Sequence, residues 1–318
     1  MATANASAKP QLLNHRSLRS LFSVRLKEAG IYSVLFACAA FSVLVTASIV
    51  VLLLGQTIQF FGFKEINFWQ FITGTQWNPL LGAEKQFGVW PLIFGTLLIT
   101  VVAMTVAIPL GLISAIFLSE YAPRKVRSIV KPALEILAGV PTVVYGFFAL
   151  TVITPFLRDA MGLQVDYYNA LSAGIAVGIL CLPTICSLTE DALRAVPQRL
   201  RDAAYGLGGT RFDVSMKVVV PAALSGIVSA SLLAIARAVG ETMIVALAAG
   251  SVASMTVDPR NQVQTITGYI TQVAKGDVEN FGVEYFSIYA VATTLFLMTL
   301  ALTIIGHFIR KRYQEAYD

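Results

Sequence analysis

Arg237 and Glu241 sit inside an otherwise apolar run from about Ala222 to Gly250. A charged side chain at the centre of a membrane helix costs at least about 2.5–3.5 kcal/mol on insertion scales, so two in one run require a purpose. In a continuous helix, residues four apart share a face, so the two can pair. One reading is a structural ion pair bridging two spans. The other is an anion site. Arg237 offers a rigid fork of N–H donors matched to tetrahedral oxyanions. Glu241 would hold Arg237 in place or accept a hydrogen bond from a protonated oxyanion. Phosphate at neutral pH keeps such a proton and sulfate does not. Gly240, between them, lets a helix or a solute approach closely. A third charge, Glu135, follows Lys131 by four residues near the end of another apolar run. It reads as a snorkelling partner of Lys131 or as a pathway residue. Pro141 should kink that run, and Thr142 and Tyr145 could then offer hydroxyls to a cavity or bond to local carbonyls.

The segment Glu190 to Pro221 is the most polar part of the chain between apolar runs. Asp202-Ala203-Ala204 is followed by Gly208 and, after nine intervening residues, by Val218-Val219-Val220-Pro221. This pattern predicts a short helix carrying Asp202, Ala203 and Ala204, then a break at Gly206, Gly208 and Gly209. A second segment leads to Pro221, which opens the next span at its first turn. Small side chains let another surface approach the backbone. The alternative is an amphipathic connector on the lipid surface, its arginines toward anionic headgroups.

These residues must be positioned by membrane helices. The chain has 318 residues, 56% hydrophobic and only 13% charged, with a mean hydropathy of +0.73. That is too few charges to cover a soluble globule and too apolar for a disordered chain. Six apolar runs are long enough to cross a bilayer: about 31–54, 91–119, 136–157, 167–189, 222–250 and 285–306. The first is too long for a signal-peptide core and reads as an uncleaved anchor behind a loose tail, 1–29. The membrane-spanning body then covers 30–318. Seventeen of the 23 Lys and Arg residues fall in the tail, the second and fourth connections and the C-terminus. The net charge of +5 therefore reports topology rather than nucleic-acid binding, and both termini are expected in the cytoplasm.

The remaining connections are expected outside. Phe60 to Pro79 is rich in aromatics and reads as an interfacial belt or a docking surface. Ser251 to Glu284, with Asp258, Asp277 and Glu279, is long enough to fold over a pore mouth. Gly174 and Gly178 allow close helix packing. Cys38, Cys181 and Cys186 read as small apolar side chains, and His15 and His307 leave no zinc set. No nucleophile–base set and no G-x-x-x-x-G-K-[ST] run occurs, so the chain does not bind ATP through a P-loop.

The loop from Asp202 to Pro221 resembles the EAA loop of ABC-importer permeases, with Asp where that family usually has Glu. The segment Arg237-Ala238-Val239-Gly240-Glu241-Thr242-Met243 resembles the Arg-Ala-x-Gly-Glu core of oxyanion permeases. Its Thr-Met continuation is similar to the PstC-type subunits of bacterial phosphate importers. Sulfate and molybdate permeases tend to continue with Phe-Gly. Glu135 to Gly146 and the segment near Trp69 and Trp77 add to the likeness, which covers all but the first thirty residues.

The resemblance implies an all-α, six-span type I ABC-importer permease in the bacterial inner membrane, non-catalytic and without a cofactor of its own. It implies a second homologous permease, an ATP-binding subunit dimer holding ATP-Mg, a periplasmic phosphate-binding protein, and the membrane lipid around them. Asp202, Ala203, Ala204 and Gly208 would dock on the ATPase. Arg237, Glu241, Thr142, Tyr145 and Glu135 would lie along the substrate path. Import of another oxyanion is the near alternative. A channel or secondary transporter using Arg237 and Glu241 as a gate or proton relay is the distant one, disfavoured by the intact loop spacing.

Overall fold

Helices dominate, because long apolar runs in a membrane can satisfy their backbone groups only internally. The computed structural model describes residues 15–79, 85–276 and 282–312, with side chains from 28 to 311 within these ranges. Residues 1–14 of the expected loose tail, Lys9 included, and Asp277 and Glu279 of the long connection lie outside the described residues. The chain separates into two units, Met1–Leu53 and Leu54–Asp318.

Helix α1 runs over His15–Phe61, well beyond the expected span on both sides. Within the first unit its apolar side chains are exposed, Ile31, Phe36, Val43 and Val51 among them. Such a surface needs lipid or protein around it.

In the second unit a short helix α2 (Phe68–Thr73) leads into a two-residue strand pair, β1 (Trp77–Asn78) against β2 (Gln86–Phe87). Phe60, Phe71, Trp77 and Phe87 are buried together with Tyr269, while Phe68 and Trp69 stay exposed. The aromatics expected as a belt or docking surface are therefore largely a core, and only that pair matches the expectation.

Helices α3 (Trp90–Ile116) and α6 (Ala170–Ala195) form the central pair. The packing expected of Gly174 and Gly178 is present. A Cβ on Gly174 would lie 2.5 Å from Val102 Cγ1, and one on Gly178 would lie 2.8 Å from the Ala103 carbonyl oxygen. Cys181 and Cys186 are buried free thiols beside this contact.

Helix α4 (Arg124–Gly139) buries none of its residues. It stops before Pro141, which leaves Val140 extended. The third span thus begins at Thr142 rather than near 136. It comprises α5 (Thr142–Phe148) and two wider turns, Ala149–Ile153 and Phe156–Ala160. Pro141 breaks this run outright instead of kinking it.

After α6 come α7 (Gln198–Gly206), α8 (Arg211–Val214), a wider turn at Ser215–Val219 and α9 (Val220–Ala222). Helix α10 (Leu224–Val239) follows at an angle of 68°. Pro221 takes a first-turn position as expected, but in α9. The long straight segment begins only after Ala223. The expected fifth span also ends early, at Val239, and α11 (Met243–Ala248) restarts beyond Gly240. Helix α12 (Ile266–Lys275) buries Ile266 and Tyr269 between neighbouring helices, so the long connection folds into the body. Helix α13 (Val283–Arg312) closes the chain. Among the described residues, five helices are long and apolar enough to cross a membrane, or six with the bent pair counted as one.

Candidate functional site

Arg237 lies in the last turn of α10, where a cation complements the negative helix end. Its side chain is exposed, and Nη1 donates to Thr184 Oγ1 on α6 at 3.0 Å. No carboxylate of the described residues stands within ion-pair distance of it. The expected Arg237–Glu241 pair does not form, because the helix that would put them on one face ends at Val239.

Glu241 instead turns into the protein, 8% exposed. Its Oε1 accepts from the backbone N–H of Met243 at 3.2 Å and of Ile244 at 3.4 Å. These are unpaired donors at the start of α11, where a negative charge is favoured. Its carbonyl accepts from Thr267 Oγ1 at 2.6 Å, which ties the break to α12. A Cβ on Gly240 would meet nothing closer than 3.6 Å, so the surface beside Arg237 is open. The arrangement is a lone guanidinium at a helix break, one donor held by a hydroxyl, the others directed at no acceptor among the described residues. Chemically it can bind an oxyanion.

The other sequence-predicted path residues divide. Tyr145 is buried and donates to the Leu137 carbonyl at 2.7 Å, the local-carbonyl alternative. Thr142 stands half-buried in the first turn of α5. Glu135 is exposed and does not pair with Lys131. Lys131 Nζ lies 3.6 Å from both Glu190 Oε2 and Asp191 Oδ1. Glu135 does share a cavity of about 340 Å³ with Lys131, Glu190 and Thr184, the same Thr184 that holds Arg237. Sequence reasoning missed Thr184, since a lone threonine in an apolar helix gives no signal. It also missed Glu190, 1% exposed, which gathers Arg127 at 2.8 Å and Lys131 and Arg194 at 3.6 Å.

Just beyond the C-terminal end of α6, the expected short helix is α7, and none of its residues is buried. Asp202, Ala203 and Gly208 are exposed and Ala204 is half-buried. Asp202 Oδ1 accepts from Gln198 Nε2 at 3.1 Å. Gly208 takes φ +86°, a backbone shape that glycine adopts freely. It turns Leu207 outward, 91% exposed, with Phe212 exposed close by in sequence. Apolar tips beside small residues suit contact with another protein.

Residues 107–315 match the family model described as binding-protein-dependent transport system inner membrane component. The chain is 31% identical over 308 residues to the probable ABC transporter permease protein YqgH of Bacillus subtilis, covering 97% of each. It is 33% identical over 276 residues to the phosphate transport system permease protein PstC of Mesorhizobium japonicum, covering 81% of each. A chain of a bacterial ABC transporter that imports the acidic polysaccharide alginate superposes with a TM-score of 0.66 at 14% identity, over 93% of this chain and all of that one (100%). That likeness concerns fold alone. With the helix order and the broken span, these matches place the protein: the chain belongs to the family of binding-protein-dependent transport system inner membrane components, the permease subunits of ABC importers.

Proposed function

We propose that this permease imports inorganic phosphate, with Arg237 contacting the anion in transit. The observation that carries the reading is the guanidinium of Arg237, held among the described residues by Thr184 alone, at 3.0 Å. An anchored Arg fork suits a tetrahedral oxyanion, and the open surface at Gly240 gives the anion room. The name PstC borne by a relative 33% identical over 81% of this chain supports phosphate among oxyanions. Glu241 holds the loop behind Arg237. Thr142, Tyr145 and Glu135 remain candidates for the rest of the path, Glu135 through the cavity it shares with Thr184.

One Arg per chain makes a thin site, which fits a second homologous permease contributing its own residues. The exposed α7, with Asp202, Ala203, Ala204 and Gly208, docks on an ATP-binding subunit, of which a dimer carries ATP-Mg. This chain supplies no hydrolysis itself. A phosphate-binding protein docks on the outer face, and both termini face the cytoplasm. A tail of 1–29 precedes a permease domain of 30–318.

Uptake of labelled phosphate tests the reading, in cells lacking other phosphate importers and expressing the chain with its transport subunits. ATP-dependent uptake that ignores excess sulfate and is lost in assembled Arg237→Gln complexes is expected. No uptake by wild type, or full competition by sulfate, overturns the substrate. Normal uptake by the variant overturns the role of Arg237.

A further inference from the structure

A groove of about 290 Å³ runs between α10 and α13. Leu232, Leu233 and Ala236 line it on one side and Leu302 and Gly306 on the other. The two helices meet closely at its floor, since a Cβ on Gly306 would lie 2.9 Å from Leu232 Cδ1. Its two hydroxyls are already satisfied. Ser229 Oγ donates to the Ser225 carbonyl at 2.7 Å, and Thr303 Oγ1 donates to the Thr299 carbonyl at 2.8 Å. The groove therefore presents no free donor along its length and favours an apolar chain.

Its lining also includes His307 and Arg310, one turn beyond Gly306 toward the end of α13. Arg310 Nη2 lies 3.4 Å from His307 Nδ1. Two basic side chains adjoin there, and no carboxylate of the described residues pairs with either. The last turn of an apolar membrane helix stands at the depth of lipid headgroups, where basic side chains face anionic phosphates.

We infer that this groove is a binding site for an anionic phospholipid, one acyl chain lying against Leu232, Leu233 and Leu302 and the phosphate on Arg310 and His307. Neither half suffices without the other. A free anion leaves the apolar groove unfilled, and a zwitterionic lipid cancels its own charge beside Arg310. The inference does not depend on which solute is imported.

Native mass spectrometry of the full chain in mild detergent tests it, with phosphatidylglycerol and phosphatidylcholine of identical acyl chains as probes. Wild type should retain phosphatidylglycerol preferentially. Arg310→Gln should lower that retention about fivefold, the effect of one cation at an anionic surface, and leave phosphatidylcholine unchanged. Ala236→Phe, which fills the groove, should abolish the preference. Should that variant fail to fold, Arg310→Gln at the exposed end still decides. Equal retention of both lipids by wild type, or unchanged retention by Arg310→Gln, overturns the site. Displacement of phosphatidylglycerol by inorganic phosphate at equal concentration also overturns it, because a free anion would then suffice.

Discussion

The guanidinium of Arg201 meets the carboxylate of Glu120 at 3.0 Å, with only 12% and 10% of the two side chains exposed. Arg201 belongs to α7, and Glu120 to the turn Phe117–Tyr121 that ends the α3 span. The same guanidinium donates to the carbonyls of Leu193 at 2.8 Å and Val196 at 2.9 Å, the last turn of α6 and its cap. One side chain thus fastens the proposed docking helix to the ends of both central spans. On the proposed docking, a push on α7 would reach α3 and α6 through this contact.

Breaking this tie should separate docking from transport. Arg201→Gln leaves Asp202, Ala203 and Gly208 in place for the ATPase but removes the charge facing Glu120. Removing one partner of a buried pair costs about 3–5 kcal/mol, so α7 should loosen. The expected outcome is an assembled complex whose ATP hydrolysis persists while solute uptake falls at least about tenfold, as a change of about 1.4 kcal/mol already brings. Arg201→Lys should recover only part, because an ammonium cannot reproduce the planar fork. Loss of ATPase binding in Arg201→Gln would show instead that the residue merely builds the docking surface.

Arg237 and Glu241 should fail in different ways. Arg237→Gln loses a surface guanidinium with one hydroxyl contact, so thermal stability should hardly change while uptake disappears. Glu241→Ala strips the acceptor from the Met243 and Ile244 amides. Loss of a capping side chain costs about 0.5–2 kcal/mol, so this variant should be destabilised. Glu241→Gln keeps an acceptor oxygen and should recover most of that loss. Equal uptake and equal melting in all three would mean that neither residue does what its contacts indicate. Melting of the purified chain, read beside uptake, separates the cases.

Glu190 should be the costliest single carboxylate to remove. It is 1% exposed and serves Arg127, Lys131 and Arg194 at once. Glu190→Ala leaves these cations crowded together without their shared counter-charge, a loss of about 3–5 kcal/mol. Asp191→Asn breaks only the 3.6 Å contact of a 60% exposed side chain with Lys131, and should be nearly neutral. Denaturation midpoints of the two variants provide the comparison.

The membrane helices were legible because each is a long apolar run, and the exposed helix α7 because Asp202 to Gly208 follows helix and break rules closely. Gly174 and Gly178 read correctly because their spacing leaves little other use for them. What failed was continuity. The reading of Arg237 with Glu241 assumed an unbroken helix, and nothing in Ala238-Val239-Gly240 forbids one. The break is held by a local cap, Glu241 on the amides of Met243 and Ile244, and by one tertiary contact, Thr267 donating to the Glu241 carbonyl from 26 residues away. Likewise Lys131 four residues before Glu135 suggests a local pair, but the buried Glu190 draws the lysine toward α6. Local spacing reports who can meet, and burial decides who does.

The loop that precedes α12 should depend on pH in strongly acidic solution. Arg260 donates to both carboxylate oxygens of Asp258, at 2.9 and 3.0 Å from Nε and 2.6 Å from Nη2, and holds that carboxyl down at about 2. An unfolded Asp titrates near about 3.9. The folded loop therefore favours the ionised form, its stabilisation is complete above about pH 4, and it is lost as pH falls through about 2. The Arg260 carbonyl accepts from the Asp166 amide at 3.0 Å and the Pro259 carbonyl from the Leu171 amide at 2.7 Å, so this loop clasps the start of α6. Protection factors of those two amides should drop between about pH 4 and 2 in wild type. Asp258→Asn should be less protected at neutral pH and flatter below it. Because the Asp166 carboxylate also accepts from the Gln262 amide at 3.3 Å, the difference between wild type and variant isolates Asp258. Identical profiles would show that the Asp258–Arg260 contact does not hold the clasp.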